Sequence, residues 1–449
     1  MHSSTPAESP AQTNSNPPPP PFAERTHFGA LDWAKDHHDF ALLDLRGKVL
    51  LSLHFEHTSE GWQKLRERVA ALLTAGSPAL AVAIETSHGM AVEQLLEAGY
   101  AVYPVNPKKA QRYRERKAPS GVKDDALDAW SLADALRVDG HTWRALPPED
   151  PLLAELRLLC RDEVALIEQR TALINQLQAA LREYYPAALD AFDDFTQPYV
   201  WEFILAFPTP SALAKAGRRR WEKFLHVHKL WRPQSAEARL AAFGQSPRLQ
   251  ATPGVVAAKS RLALALVQLL RTLGAQLLRY RLAIAELFER HPDKDLFGSL
   301  PGAGPKLAPR LLAELGDQRE RFEDVQSLQC YAGSAPVSVE SGQSRKVKLR
   351  RACNRSLRAA LHLMSDLSRK TCQWAEKYYR AHREKGQSHA CALRCLGQRW
   401  LKILFKMWQT RSPYDEARHL NNQIKHGSWV PNFEPKKRVP TMKPATAIA

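Results

Sequence analysis

The chain has 449 residues, with 64 lysines and arginines against 47 aspartates and glutamates, a net charge of +17 and a pI near 9.7. So basic a surface attracts polyanions, nucleic acid foremost, and the length is enough for about three domains. Composition argues against a membrane or secreted protein: apolar runs such as "LALALVQLL" (262–270) fall short of the roughly 20 residues a span needs, the opening lacks the basic and apolar regions of a secretion signal, and six cysteines without CxxC spacing suit a reducing cytoplasm.

In chain order, residues 1–26 are rich in proline and serine and read as a disordered arm. "HFGALDW", "FALLD" and "VLLSLHF" then alternate as three strands of an antiparallel meander, followed by a polar helix from about Ser59 to Ala75. "ALAVAIE" (79–85) is a continuous apolar run ending in an acid, the pattern of a buried central strand. "MAVEQLLEAG" reads as a helix closed by Gly99, "AVYPV" as a strand, "NPKKAQRYRERK" (106–117) as a basic loop, and "DDALDAWSLADALR" as a helix with acids in its first turn. Three strands, then helix, strand, helix, strand, helix is the order of a ribonuclease H-like domain.

Four carboxylates fall where that fold could use them. Asp32 lies within the first strand, Glu85 ends the buried fourth strand, and Asp125 and Asp128 share one face of the last helix. Burying such acids is unfavourable unless they are paired or bind a cation, and converging carboxylates suit Mg²⁺. Asp124 points away from the Asp125 and Asp128 face. Taken singly, Asp125 and Asp128 also fit as ordinary first-turn helix acids, and Glu85 as a strand end.

The middle third, 146–295, is helical. Leu152, Leu156, Leu159, Leu166, Leu173 and Leu177 follow alternating spacings of four and three, with Glu163 and Arg170 interrupting the seam. An antiparallel helix pair, between chains or with the long apolar helix after residue 257, would set Glu163 against Arg170. "GRRRWEKF" (217–224) places Arg218, Arg219 and Arg220 beside Trp221, as the basic loop places Lys108, Lys109, Arg112 and Arg116 around Tyr113. Cations interleaved with rings hold single strands and nucleic-acid loops.

In the last third, "LFGSLPGAGPKLAPRLLAELGD" (296–317) has the look of a helix-hairpin-helix, with Gly302 and Gly304 in a turn that could meet a phosphate at the following helix start. "SVESGQSRKVKLRR" follows; from Ser341 to Arg358 there are seven basic residues, among them Arg345, Lys346, Lys348, Arg350 and Arg351, and no acid. Cys391 and Cys395 stand one turn apart without a second pair, which favours buried thiols over zinc. Residues 416–449 read as a basic flexible tail.

Taken together, "LDWAKDHHDFALLD", "AIETSHG", "VYPVNPKKAQRYRERK" and "KDDALDA" resemble the RuvC-like N-terminal domain of the DEDD insertion-sequence transposases. "LPGAGPKLAPRLLAELGD", "YAGSAPVSVESGQSRKVKLRRACNRSLRAAL" and "YYRAHREKGQSHACALRCLGQRWLKILFKMW" are similar to that family's C-terminal transposase domain, and the likeness spans roughly residues 27–415. "KDDALDA" stands where the family commonly has KTDRADA, keeping both acids and losing an arginine. The resemblance implies an α/β RuvC-like domain at 27–145, a helical or coiled-coil region at 146–295 and a mainly helical transposase domain at 296–415. It implies Asp32, Glu85, Asp125 and Asp128 as the four acids holding Mg²⁺ in a two-metal or shared-metal site, and Ser341 as a nucleophile joining DNA as a phosphoserine. It also implies a noncoding guide RNA, donor and target DNA, a dimer or tetramer, and a cytoplasmic setting. No P-loop is present, in keeping with chemistry that needs no nucleotide cofactor. Two other readings use the same residues differently. A Holliday-junction-type nuclease would use the acids and leave Ser341 idle; a nucleic-acid scaffold would use neither.

Overall fold

Alternation of apolar side chains builds the N-terminal sheet. Strands β1 (His27–Trp33), β2 (His37–Asp44) and β3 (Val49–Glu56) form the meander, and the fully buried run becomes β4 (Leu80–Ile84), paired in parallel with β1 on one side and with β5 (Ala101–Pro104) on the other. The order is β3-β2-β1-β4-β5. This computed structural model describes residues 21–73, 80–117, 125–146, 150–244, 251–342 and 344–434, so Asp124 and most of the proline-rich arm lie outside the described residues. The chain divides into two compact units, residues 1–149 and 150–449.

In the first unit, helices α1 (Ser59–Ala70) and α2 (Met90–Glu97) cover one sheet face with Trp62, Leu65, Val69, Val92 and Leu95. The other face takes α3 (Pro107–Lys117) and α4 (Asp125–Asp139) through Ala110, Ala129, Leu132, Ala133 and Leu136. Two expectations are corrected here. The basic stretch 107–117 is a helix rather than a loop: Pro107 suits its first turn, and Asn106 Oδ1 accepts the Lys108 amide at 3.0 Å. Within the expected arm, Phe22 packs its ring 5.6 Å from Phe28 and 5.7 Å from Tyr103, because the sheet face leaves an apolar edge to cover.

The second unit is helical apart from one hairpin. α5 (Pro151–Tyr184) leads into α6 (Pro186–Ala191), α7 (Pro198–Ala206), α8 (Pro210–Val227) and α9 (Pro233–Gly244), and α10 (Pro253–Arg290) runs back along α5. The pair is antiparallel and within one chain, since Glu163 meets Arg281 while Glu183 meets Lys259. By length and composition α10 could cross a membrane, more than its short apolar runs suggested; here Ala263, Leu266, Val267, Leu270 and Leu277 are buried within the unit. Helices α6 to α9 cap the far end in an aromatic core of Tyr185, Phe203, Phe207, Trp221 and Phe224.

A second core surrounds α11 (Lys294–Gly298), α12 (Gly304–Leu315), α13 (Val325–Tyr331), α14 (Arg355–Thr371), α15 (Gln373–Glu384) and α16 (His389–Thr410). Glu163 does not face Arg170: it is 2 % exposed and binds Arg281 at 2.9 Å and Arg310 of α12 at 2.7 Å. An acid in an apolar seam takes whichever cations reach it, and α12 supplies one. The supposed tail is partly ordered, since α17 (Glu416–Lys425) follows, Trp429 stacks on Tyr378 at 5.7 Å and Val430 is buried; residues 435–449 lie outside the described residues. Cys391 and Cys395 are half-buried free thiols, rather than fully buried ones, and burial pushes Cys395 above the usual thiol range.

Candidate active site

The sheet register assembles the acids. Asp32 stands directly across from Asp39 in the antiparallel β1–β2 pair, and the parallel match of Leu31 with Ile84 sets Asp32 beside the strand end that carries Glu85. Asp125 and Asp128 approach from the first turn of α4, three residues apart on one face. All five carboxylates line one pocket with Trp33, Ala34, His37 and Arg114. Carboxylate oxygens of Asp32, Asp125 and Asp128 lie within 4.8 Å of one another, and ligand atoms of His37, Asp39 and Asp125 form a second such group.

Crowding shows in the titration of these groups. Burial, then the charges of Asp128, Glu85, Asp125 and Asp39, push Asp32 from 3.8 to about 6. Burial and Asp128 also raise Glu85, against a lowering pull from Arg114. Asp128 Oδ2 accepts Arg114 Nη1 at 2.7 Å, while its Oδ1 is buried with no hydrogen-bond partner among the described residues. An all-oxygen donor set with an unsatisfied buried oxygen and repelling neighbours fits a hard divalent cation. Asp32, Asp125 and Asp128 could hold one, with Glu85 at the same wall.

Three titratable pocket residues, His37, Asp39 and Arg114, escaped sequence reasoning. Asp39 carried a usable signal: a short turn after Trp33 brings the chain back along β1, and the register it adopts sets 39 opposite 32. Asp39 is held by His54, whose Nδ1 lies 3.1 Å from both carboxylate oxygens. Arg114 carried no signal once its segment was read as a loop.

Ser341 closes β6 (Val337–Ser341), which pairs with β7 (Ser344–Lys348) in a hairpin. Ser341 faces Ser344 across the turn, Gly342 takes φ +53°, and residues 338–341 are exposed, so the serine sits at an open tip rather than in an apolar interior. On α12, Glu314 is 2 % exposed and receives Arg161 at 2.7 and 2.9 Å and Asn354 Nδ2 at 2.7 Å. Asn354 also caps α14 through the Leu357 amide. The loop after β7 is thereby fixed to α5 and α12.

The basic candidates divide by exposure. Lys108, Arg112 and Arg116 are exposed on α3, Lys109 rests its ammonium 4.5 Å from the Trp143 ring, and Tyr113 packs half-buried beside the same ring. Arg218, Arg219 and Arg220 are exposed, with Arg218 paired to Glu222. Trp221 corrects the expected stacking platform: it is 1 % exposed and packs between Phe203, Phe207 and Phe224, because Gly217 at φ +72° restarts the helix with that ring inward. Lys346, Lys348 and Arg351 are exposed, Arg350 is half-buried, and the Arg345 side chain lies outside the described residues. Gly304 has open space around it, whereas a Cβ on Gly302 would lie 2.4 Å from the Ser368 amide of α14, so Gly302 serves close packing.

Two family models match the chain: one described as "Transposase" over residues 30–186, and one described as "Transposase IS116/IS110/IS902 family" over residues 294–380. The chain is 36 % identical over 401 residues to the "Mini-circle putative transposase for IS117" of Streptomyces coelicolor, covering 88 % of this chain and 96 % of that one. It is 28 % identical over 302 residues to the insertion element IS110 43.6 kDa protein of the same species, and 29 % over 296 residues to the insertion element IS900 42 kDa protein of Mycobacterium paratuberculosis. Each of these last two matches covers 66 % of this chain and 73 % of the relative.

Proposed function

The chain belongs to the IS116/IS110/IS902 family of transposases, and on that premise we propose that it cuts and rejoins DNA with Ser341 as nucleophile and with Asp32, Glu85, Asp125 and Asp128 holding Mg²⁺. The observation that carries the reading is the gathering of carboxylates from β1, β4 and α4 at one pocket, with Asp32 raised to about 6 and a buried oxygen of Asp128 left unsatisfied. So costly a cluster persists where function requires it.

Bound there, Mg²⁺ would neutralise phosphate charge and polarise the scissile group. Ser341 attacks phosphorus through Oγ: the Oγ–P bond forms as the strand's P–O bond breaks, the hydroxyl proton is lost, and the freed strand oxygen gains one. The phosphodiester energy stays in the phosphoserine link, so reversal rejoins a strand without ATP. An open hairpin tip suits attack on a bulky substrate, and Lys346, Lys348 and Arg351 beside it counter phosphate charge. The exposed cations of α3 and Arg218 to Arg220 give further nucleic-acid contacts, including to a noncoding guide RNA, in a dimer or tetramer.

Ser341→Ala and Asp32→Ala test this reading. Ser341→Ala abolishes cleavage and the covalent protein–DNA adduct, a fall of at least about a thousandfold; retained cleavage would show a metal-dependent nuclease in which the serine is idle. Asp32→Ala keeps DNA binding and loses chemistry. Sequencing RNA that copurifies from the host and finding none from beside the gene would remove the guide.

A further inference from the structure

Among the described residues lining the acidic pocket, Arg114 is the one strong base. It comes from α3, whose Lys108, Arg112 and Arg116 are exposed while Ala110, Tyr113 and Arg114 turn inward. Its Nη1 donates to Asp128 Oδ2 at 2.7 Å, yet 32 % of the Arg114 side chain remains exposed, against 14 % for Asp128. One nitrogen is thus anchored on a ligand carboxylate, and the rest of a planar, five-donor group on the pocket lining keeps donors to spare.

The pocket's five carboxylates would repel the phosphate that the reaction must bring to them. A guanidinium fixed on the pocket lining offsets that repulsion, and its fork can hold Asp128 and a phosphate oxygen at once. We propose that Arg114 contacts the phosphate of the DNA strand drawn to the acids, anchored by Asp128 and using its remaining donors on the strand. This rests on the strand-cutting reading of the pocket.

The test uses the full chain as recovered from its host, with any RNA it carries. Duplex DNA of the sequence flanking the gene is titrated at several salt concentrations with Ca²⁺ in place of Mg²⁺, and Mn²⁺ is titrated separately by calorimetry. In Arg114→Gln the slope of log affinity on log salt falls by about 1, the change expected when one phosphate is no longer neutralised, and Arg114→Lys restores it. Removing a positive charge also tightens Mn²⁺ binding in Arg114→Gln by about tenfold, where a purely structural role predicts weaker Mn²⁺ binding. An unchanged slope, or weakened Mn²⁺ binding, overturns the proposal for Arg114 alone. Failure of the wild-type protein to bind Mn²⁺ removes the metal reading of the pocket, and this inference with it.

Discussion

Replacing Asp32 by Asn should stabilise the protein while disabling its site. The two side chains have nearly the same shape, so the change removes charge from the centre of the carboxylate cluster and little else. Moving Asp32 from 3.8 to about 6 corresponds to about 3 kcal/mol, and water in the open pocket screens this to about 1 to 2 kcal/mol. Between these values the folded carboxyl keeps a proton that the unfolded one releases, so wild-type stability falls as pH rises through the window and the Asn variant is spared that loss. At pH 8 in EDTA the variant should unfold about 3 to 6 °C above wild type by calorimetry, and the advantage should vanish near pH 4. Added Mg²⁺ should raise the wild-type midpoint and leave the variant nearly unmoved. An Asn variant no more stable than wild type at pH 8, or equally favoured at pH 4, would refute the picture of a carboxylate held at a cost by burial and by repelling neighbours.

Glu163→Ala should destabilise the second unit by about 3 kcal/mol, because Arg281 and the largely buried Arg310 lose their shared partner; urea unfolding of the Glu163, Arg310 and double variants should give costs that do not add. Gly302→Ala should cost more than about 2 kcal/mol by the same assay, since φ +80° and a 2.4 Å approach to the α14 backbone both resist a Cβ. Ser338→Ala and Ser344→Ala should leave adduct formation within about twofold of wild type if Ser341 alone supplies the nucleophile; loss of the adduct in either would reassign it.

Much of the first unit was legible because a half-buried strand and a fully buried one leave different patterns, and both are present here. α3 was hidden by its chemistry: six of its residues are basic, and only Ala110, Tyr113 and Arg114 show which way it faces. Glu163 was misassigned because heptad spacing describes a two-helix seam, while its second cation comes from Arg310, 147 residues later. Trp221 looked like a nucleic-acid platform because it adjoins three arginines; Phe224, one turn on, marked an inward face, but Phe203 and Phe207, which complete the enclosure, come from before the arginine run. The serine hairpin was legible as a turn, and the acids as a set, because strand ends and first helical turns have fixed places in a βαβ order.

The long antiparallel helices have a mechanical consequence. From the Glu163 anchor to Tyr184, α5 extends about 30 Å, so a tilt of about 10° at the ion cluster would swing the aromatic cap by about 5 Å. Two arginines on one glutamate would then act as the fulcrum of a lever, and a small shift in α12 would be magnified at its far end.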